Sequence, residues 1–180
     1  MKNKTKLLIG IVVILAMSTL YHDIYKQFPN FITSLLFPIN ESIFEHNKMI
    51  LLAFFTWACI EKLFYKDSNT PFFNNLVACI ICITLVLAIF TPVYFLVLKG
   101  QDSLIITIAI YAFSIAVGLF LSSLIKLEPS KKLEALSIFG FLILLVTLAI
   151  LTYYHPNNII FKELSPSFLH LKGSFCLLFL

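Results

Sequence analysis

The residues best able to do chemistry in this sequence lie in one short stretch, residues 37–49, which reads FPINESIFEHNKM. It contains Glu41, Glu45 and His46, which are two of the nine acidic residues and one of the four histidines of the chain. Glutamate oxygens and imidazole nitrogens bind zinc and other divalent transition metals, and a glutamate beside a metal-bound water can act as a general base. If the protein has a chemical site, we expect it in this stretch.

The stretch alone does not supply a complete set of metal ligands. On a helix that begins near Asn40, Glu41 and Glu45 share one face, whereas His46 is rotated by about 100° from Glu45. Further ligands must come from other segments, and the histidines that flank the first and last hydrophobic runs are the candidates. The predicted polar site therefore consists of Asn40, Glu41, Glu45, His46 and His22, and the predicted ligands for a divalent metal such as zinc are Glu41, Glu45, His46, His22 and His155.

A purely structural role accounts for the same residues, and the sequence leaves that alternative open. Asn40 can cap a helix with Glu41 in its first turn, or Ser42 can cap it with Glu45 three residues later. Early glutamates also favour the positive end of the helix dipole. In this interpretation Lys48 pairs with one of the two glutamates.

The composition places these residues in a membrane protein. Hydrophobic residues make up 60% of the chain and charged residues 12%, and the mean hydropathy is +0.98, well outside the range of soluble domains. A chain of 180 residues can hold one bundle of about five spans at roughly 20 residues each. We therefore predict an all-α, polytopic transmembrane helix bundle with no separate soluble domain.

The hydrophobic runs predict spans at about residues 7–21, 45–65, 73–98, 103–125 and 133–154, followed by a C-terminal tail, residues 155–180. The first run could instead be a cleaved signal peptide, since Ala16 and Ser18 have suitable spacing, but the apolar sequence after it favours an uncleaved span. In the second run, Lys48 and Glu61 are separated by only about 18 Å of helix. Charged residues at one end of this helix must therefore lie at or below the membrane surface.

Three further patterns concern helix packing. Pro92 should kink or break the third span, and the small residues Ser114, Gly118 and Ser122 should form a close-packing face on the fourth. The pair of cysteines at positions 79 and 82 has the spacing of a redox or zinc motif, but it lies inside an apolar run without a second pair. We interpret these cysteines as packing residues.

Lysine placement predicts the orientation in the membrane. All 13 basic residues are lysines, scattered over loops, and the absence of arginine disfavours nucleic acid as a partner. With the amino terminus in the cytoplasm, the inner side carries more lysines than the outer side, as expected for inner loops. This orientation places all four histidines, together with Glu41 and Glu45, on the outer face.

Four sequence blocks resemble a known family of small bacterial membrane proteins, domain of unknown function 6512. The blocks are LYH at residues 20–22, FPINESIFEH at 37–46 followed by Lys48, LTYYHP at 151–156 and IFKE at 160–163. Phe44 stands where the family usually has Trp, and His155 with Pro156 where two prolines are common. The resemblance implies a membrane fold in a bacterial cell membrane, and it implies no activity.

Two classes of function fit these observations. The first is a small transporter-like binder or partner subunit with a polar binding site at the outer membrane face. The alternative is a membrane-embedded, metal-dependent hydrolase that acts on a lipid or lipid-linked substrate, although the chain has no HExxH pair, nucleophile elbow or phosphate-binding loop. The lipid bilayer is the one partner that the sequence predicts.

Overall fold

The computed structural model describes residues 2–65, 70–99, 103–125, 127, 128, 130–154 and 156–162. Within these residues the regular elements are helices and there is no β-strand, which confirms the all-α prediction. The helices are α1 (Lys2–His22), α2 (Ile24–Gln27), α3 (Phe31–Leu36), α4 (His46–Phe64), α5 (Pro71–Pro92), α6 (Leu104–Ser123) and α7 (Lys131–Tyr153). A π-helical turn, Val93–Val97, continues α5, and a 3-10 turn, Ile159–Phe161, follows α7.

Four segments of the described chain are long and apolar enough to cross a membrane, namely Lys4–Gln27, Pro71–Val97, Leu104–Ser123 and Lys131–Tyr153. The remaining predicted span corresponds to α4, which carries Lys48, Glu61 and Lys62 and is not among these four. Helix α4 is instead largely buried, because it packs against α1, α5 and α7. The bundle therefore combines four apolar helices with one central charged helix, close to the five spans predicted.

Contacts between the helices define the two ends of the bundle. At one end, called the His22 end, His22 at the end of α1 lies beside His46 at the start of α4, with ring centroids 5.3 Å apart. At the opposite end, called the Lys6 end, Lys6 near the start of α1 contacts Glu61 near the end of α4 at 2.8 Å. Helices α1 and α4 are thus antiparallel, and each end of α4 has its own polar cluster.

The apolar core is centred on α4. Phe54 and Ile50 are completely buried, and Trp57 is nearly so. The ring of Trp57 fits against Gly10 of α1, where an added Cβ would lie 3.0 Å from the indole. Because a larger residue at position 10 would push the two helices apart, Gly10 allows the close approach that buries the tryptophan.

A small-residue face on α6 packs against α5, as the sequence predicted. Ser114 and Ser122 are buried, and a Cβ added to Gly118 would lie 2.6 Å from the Ala78 carbonyl oxygen of α5. Small side chains here let the two backbones approach closely, which is the usual means of packing helices within a membrane.

We expect Gly118→Ala to destabilise the protein by about 1–3 kcal/mol, because the clash is with backbone and one helix must move. Gly140→Ala is the matched control: its added Cβ would meet the end of the flexible Leu76 side chain at 2.7 Å, and that side chain can rotate. Thermal unfolding in detergent, followed by the fluorescence of the single tryptophan, Trp57, measures both variants. Equal unfolding temperatures would contradict close backbone packing at Gly118.

Pro92 changes the helix type without ending the helix. The chain continues into the π-helical turn, and the Val93 amide donates to the carbonyls of Ile89 and Phe90. Of the two predicted outcomes, a kink or a break, the break is absent. The π-helical turn that follows Pro92 is a feature associated with kinks. Cys79 and Cys82 are buried in the core with free thiols, in agreement with a packing role.

The short helix α3 inserts between α4 and α7 at the His22 end. Its start is fixed by Asn30 and Thr33, which form a reciprocal capping box. Its Ser34 carbonyl accepts a hydrogen bond from Lys48 of α4 at 2.8 Å, and the Ser34 hydroxyl lies 2.5 Å from the Tyr153 hydroxyl of α7. Through Ser34, helix α3 therefore connects α4 to α7 at the His22 end.

Candidate functional site

Three of the predicted site residues lie together at the His22 end: His22, Glu41 and His46. Each offers one potential ligand atom, and the three atoms lie within 4.8 Å of one another. His22 Nε2 is 3.1 Å from Glu41 Oε2, and His46 Nε2 is 3.7 Å from the same oxygen. We refer to these residues as the His-Glu-His cluster.

The cluster joins the last residue of α1 to the first residue of α4. Between them, residues 40–45 form turns: the Asn40 side chain accepts a hydrogen bond from the Ser42 amide at 3.0 Å, and the Ser42 hydroxyl accepts one from the Glu45 amide at 3.2 Å. Asn40 therefore shapes the turn from which Glu41 extends toward His22.

The start of α4 differs from the sequence prediction. The helix begins at His46, not near Asn40, because side-chain bonds from Asn40 and Ser42 hold the preceding residues in turns. Glu41 and Glu45 consequently do not share a helix face, and they point to different neighbours. Three potential ligands meet because Glu41 lies outside the helix.

Both imidazoles are anchored through Nδ1. His22 Nδ1 lies 3.0 Å from the Asp23 carboxylate, and His46 Nδ1 lies 2.7 Å from the Ser42 carbonyl oxygen. Carboxylate and carbonyl oxygens only accept hydrogen bonds, so each Nδ1 carries a proton. Each ring is thereby oriented with its Nε2 toward Glu41.

Two charged neighbours that the sequence analysis did not single out, Asp23 and Lys26, form ion pairs with residues of the cluster. Lys26 of α2 donates to Glu41 Oε1, and it also lies 3.3 Å from Asp23. Asp23 follows His22 directly, and Lys26 is three residues further along. That spacing on a helical segment is the signal that could have identified them.

Glu41 is held in its ionised form. Hydrogen bonds from His22 and then Lys26 lower its pKa well below the usual value, against the opposing effect of partial burial. The side chains of His22 and Glu41 are 28% and 36% exposed, whereas that of His46 is 13% exposed. An ionised carboxylate with two imidazoles, partly open to solvent, is chemically suited to a cation.

Glu45 lies outside this cluster. Its carboxylate accepts hydrogen bonds from the Ile39 amide at 3.1 Å and from the Thr152 hydroxyl of α7 at 2.8 Å, and it pairs with Lys48 at 2.9 Å. Glu45 and Lys48 are both buried. Glu45 therefore joins α7 to the start of α4, and it is separate from the residues that face His22.

The charges at both ends of α4 are buried and paired. Lys48 is paired at the His22 end, while at the Lys6 end Glu61 accepts from Lys6 and from Asn75 of α5, both at 2.8 Å. The sequence argument required the charges of at least one end to lie at or below the membrane surface. The structure buries charged groups at both, and each has a partner of opposite sign.

A protein-family comparison covers nearly all of this chain. The profile of the "Family of unknown function (DUF6512)" matches residues 1–166. The chain belongs to this family. The resemblance inferred from the sequence blocks is thereby confirmed, and the cluster lies inside the matched region. No curated protein and no solved structure matches the chain at a significant level.

Membership of this family assigns no activity, so a function must be argued from the site itself. Of the predicted metal ligands, the structure groups His22, Glu41 and His46 and separates Glu45 from them. His155 lies outside the described residues, as does most of the predicted tail. The His-Glu-His cluster is the candidate site that the described residues offer.

Proposed function

We propose that this protein is a multi-pass membrane protein that binds a divalent transition metal ion such as Zn²⁺ at the His22 end, with His22, Glu41 and His46 as its protein ligands. One observation carries the proposal: both imidazoles are anchored through Nδ1 and direct Nε2 at one carboxylate oxygen. Metal-binding histidines in proteins are typically oriented by such a bond on the second nitrogen.

The distances in the cluster support this proposal. In a tetrahedral zinc site with bonds of about 2.0–2.1 Å, neighbouring ligand atoms are about 3.3 Å apart. The two distances from Glu41 Oε2 to the imidazoles, 3.1 Å and 3.7 Å, lie on either side of that value. Small side-chain movements would therefore suffice for coordination.

Two charged neighbours would keep their contacts with the ligands of a bound ion. Glu41 would coordinate through Oε2 while Oε1 keeps its bond to Lys26, and Asp23 would hold His22 as an outer partner. Three protein ligands leave one position of a tetrahedral ion for water or for a ligand from outside. The arrangement suits a metal ion that exchanges with solvent or is shared with a ligand from another molecule.

Binding is favoured over hydrolysis. A hydrolase needs a carboxylate that can accept a proton beside the metal-bound water. The sequence predicted one of the two glutamates for this role, but Glu41 would be a metal ligand, and Glu45 is occupied by three donors including Lys48. We therefore favour a transporter-like binder or a partner subunit whose metal site faces the outer side of a bacterial cell membrane, with the amino terminus in the cytoplasm.

Metal content tests the proposal. Protein purified in detergent is stripped with chelator, equilibrated with Zn²⁺, desalted and analysed by mass spectrometry for metal per chain. We expect about one ion per wild-type chain and a loss of most of it in Glu41→Gln and His46→Ala, because two ligands bind a metal far more weakly than three.

Glu128→Gln is the matched control, since Glu128 is exposed in the connection between α6 and α7, at the Lys6 end, away from the cluster. It should retain the ion. Trp57 fluorescence verifies that each variant is folded. A folded wild-type protein without bound Zn²⁺, or equal retention in all variants, would overturn the proposal.

A further inference from the structure

An apolar groove with a volume of about 300 Å³ lies between α4 and α7. Leu52 and Phe55 line it from α4, and Ile138 and Leu142 line it from α7; the other lining residues are also apolar. Ile138 is 42% and Leu142 52% exposed. Because α7 is one of the helices able to cross a membrane, this groove lies at the depth of the lipid chains.

The groove lies between two points at which side chains connect α4 and α7. At the His22 end, Ser34 of α3 lies between them through its bonds to Lys48 and Tyr153. Nearer the Lys6 end, Phe55 of α4 packs between Phe72 of α5 and Phe141 of α7, with ring centroids 5.9 Å and 5.3 Å away. No described element fills the space between these points.

Lysines continue both walls of the groove toward the Lys6 end. Lys62 lies seven positions after Phe55 on α4, and Lys131 lies seven positions before Ile138 on α7. Seven residues make about two helical turns, so each lysine shares the groove-facing side of its helix. Both lysines are exposed. The apolar groove therefore ends between two cations.

Two acidic residues close to these lysines, Glu61 and Glu134, already have other partners. Glu61, next to Lys62, is buried and bonded to Lys6 and Asn75. Glu134, one turn after Lys131, faces the first amides of α5, with its oxygens 3.3 Å from the Phe72 nitrogen and 3.5 Å from that of Phe73. Lys62 and Lys131 are paired with neither of these carboxylates in the described chain.

We propose that the groove binds an acyl chain of an anionic phospholipid whose phosphate is held by Lys62 and Lys131. A wholly apolar lining selects a hydrocarbon chain, and lysine binds phosphate as a point charge. Two helical turns, about 10 Å, separate the lysines from the groove, so the phosphate would lie at the membrane surface and the chain within the bilayer.

The shape of the groove favours a lipid chain over a helix from another protein. Close helix packing in membranes relies on small residues at the contact, whereas this lining consists of leucine, isoleucine and phenylalanine. A slender, flexible chain can occupy such a space, and a helix cannot approach its floor. The proposal is independent of the metal site at the opposite end.

Native mass spectrometry of the protein, released from micelles with equimolar phosphatidylglycerol and phosphatidylcholine, tests this site. We expect preferential retention of phosphatidylglycerol, with binding about fivefold weaker for each of Lys62→Gln and Lys131→Gln, since a lysine near an anionic surface contributes about that factor. Lys132→Gln makes the same charge change beside Lys131, but on a different face of α7, and should have little effect.

A second pair of variants tests the groove itself. Leu142→Trp fills it and should reduce phosphatidylglycerol retention with both lysines intact, whereas Ile143→Trp changes a neighbouring residue of similar exposure, 49%, outside the groove and should not. Equal retention of the two lipids, equal effects of Lys131→Gln and Lys132→Gln, or retention unchanged by Leu142→Trp would overturn the proposal.

Discussion

Replacing Glu45 by alanine is expected to destabilise the protein by about 3–5 kcal/mol, which is typical when one partner of a buried ion pair is removed. Lys48 has no solvent exposure, and in the variant its ammonium group would keep the Ser34 carbonyl and lose its counter-ion. The same change would remove the acceptor for the Thr152 hydroxyl of α7. The substitution should therefore loosen the contact between α4 and α7 and also leave an unpaired charge in the protein interior.

A double variant distinguishes an unpaired charge from lost packing. Glu45→Gln alone keeps the shape of the side chain and removes its charge, so most of the destabilisation should remain. Adding Lys48→Met removes the stranded cation and should restore at least half of the loss, because an apolar side chain of similar length replaces a buried charge. Glu45 and Lys48 flank His46 in the sequence, but their side chains bond to each other and to Ile39, Thr152 and Ser34, so metal content should be preserved.

Unfolding by SDS in mixed micelles, with Trp57 as the fluorescent probe, measures these differences. Trp57 is almost fully buried at the centre of α4, so its emission reports the integrity of the bundle. If Glu45→Gln were as stable as wild type, or if the double variant were less stable than Glu45→Gln, the interpretation of Glu45 and Lys48 as a structural ion pair would be wrong.

The overall class of the fold follows from the sequence because the bilayer restricts the possibilities. Long apolar runs in lipid must satisfy their backbone groups internally, and the helix is the simplest way to do so. The charged residues of α4 were the exception, and their positions predicted that those at one end of the helix lie at or below the membrane surface. What the sequence could not specify was which neighbours pair with them, since Lys6 and Glu61 are 55 positions apart.

The site could be predicted in part for a similar reason. Chemical type identified Glu41, His46 and His22, but the sequence treated Glu41 and Glu45 as equivalent residues of one helix face. A difference of a few residues in the helix start separates them, since side-chain bonds from Asn40 and Ser42 compete with the helix. Helix ends are the least certain part of a sequence prediction, and here the end decides which glutamate faces the histidines.

The two charged neighbours of the cluster should alter metal affinity in opposite directions. The Asp23 carboxylate orients His22 and makes its imidazole more basic. Asp23→Asn removes this carboxylate, and loss of such an outer partner weakens metal binding by about 10–100-fold. Lys26→Gln removes a cation that bonds Glu41 and would repel the incoming ion, so it should tighten binding. If these residues form only a structural network of ion pairs, no zinc binding will be measured in the wild type or in either variant.

Proton release provides an independent check on the same assignment. In the metal-free protein both nitrogens of His22 face carboxylate oxygens, so both carry protons, and coordination through Nε2 must displace one of them. Zinc affinity should therefore fall as the pH is lowered, because protons then compete more strongly for Nε2.

Calorimetric titration in buffers of different ionisation enthalpy should count about one proton released per ion by the wild type. It should count fewer in His22→Gln, titrated to the higher Zn²⁺ concentration that its weaker two-ligand site requires, because the glutamine amide does not give up a proton. Equal proton release by both proteins would mean that His22 is not a ligand and that the ion is bound elsewhere.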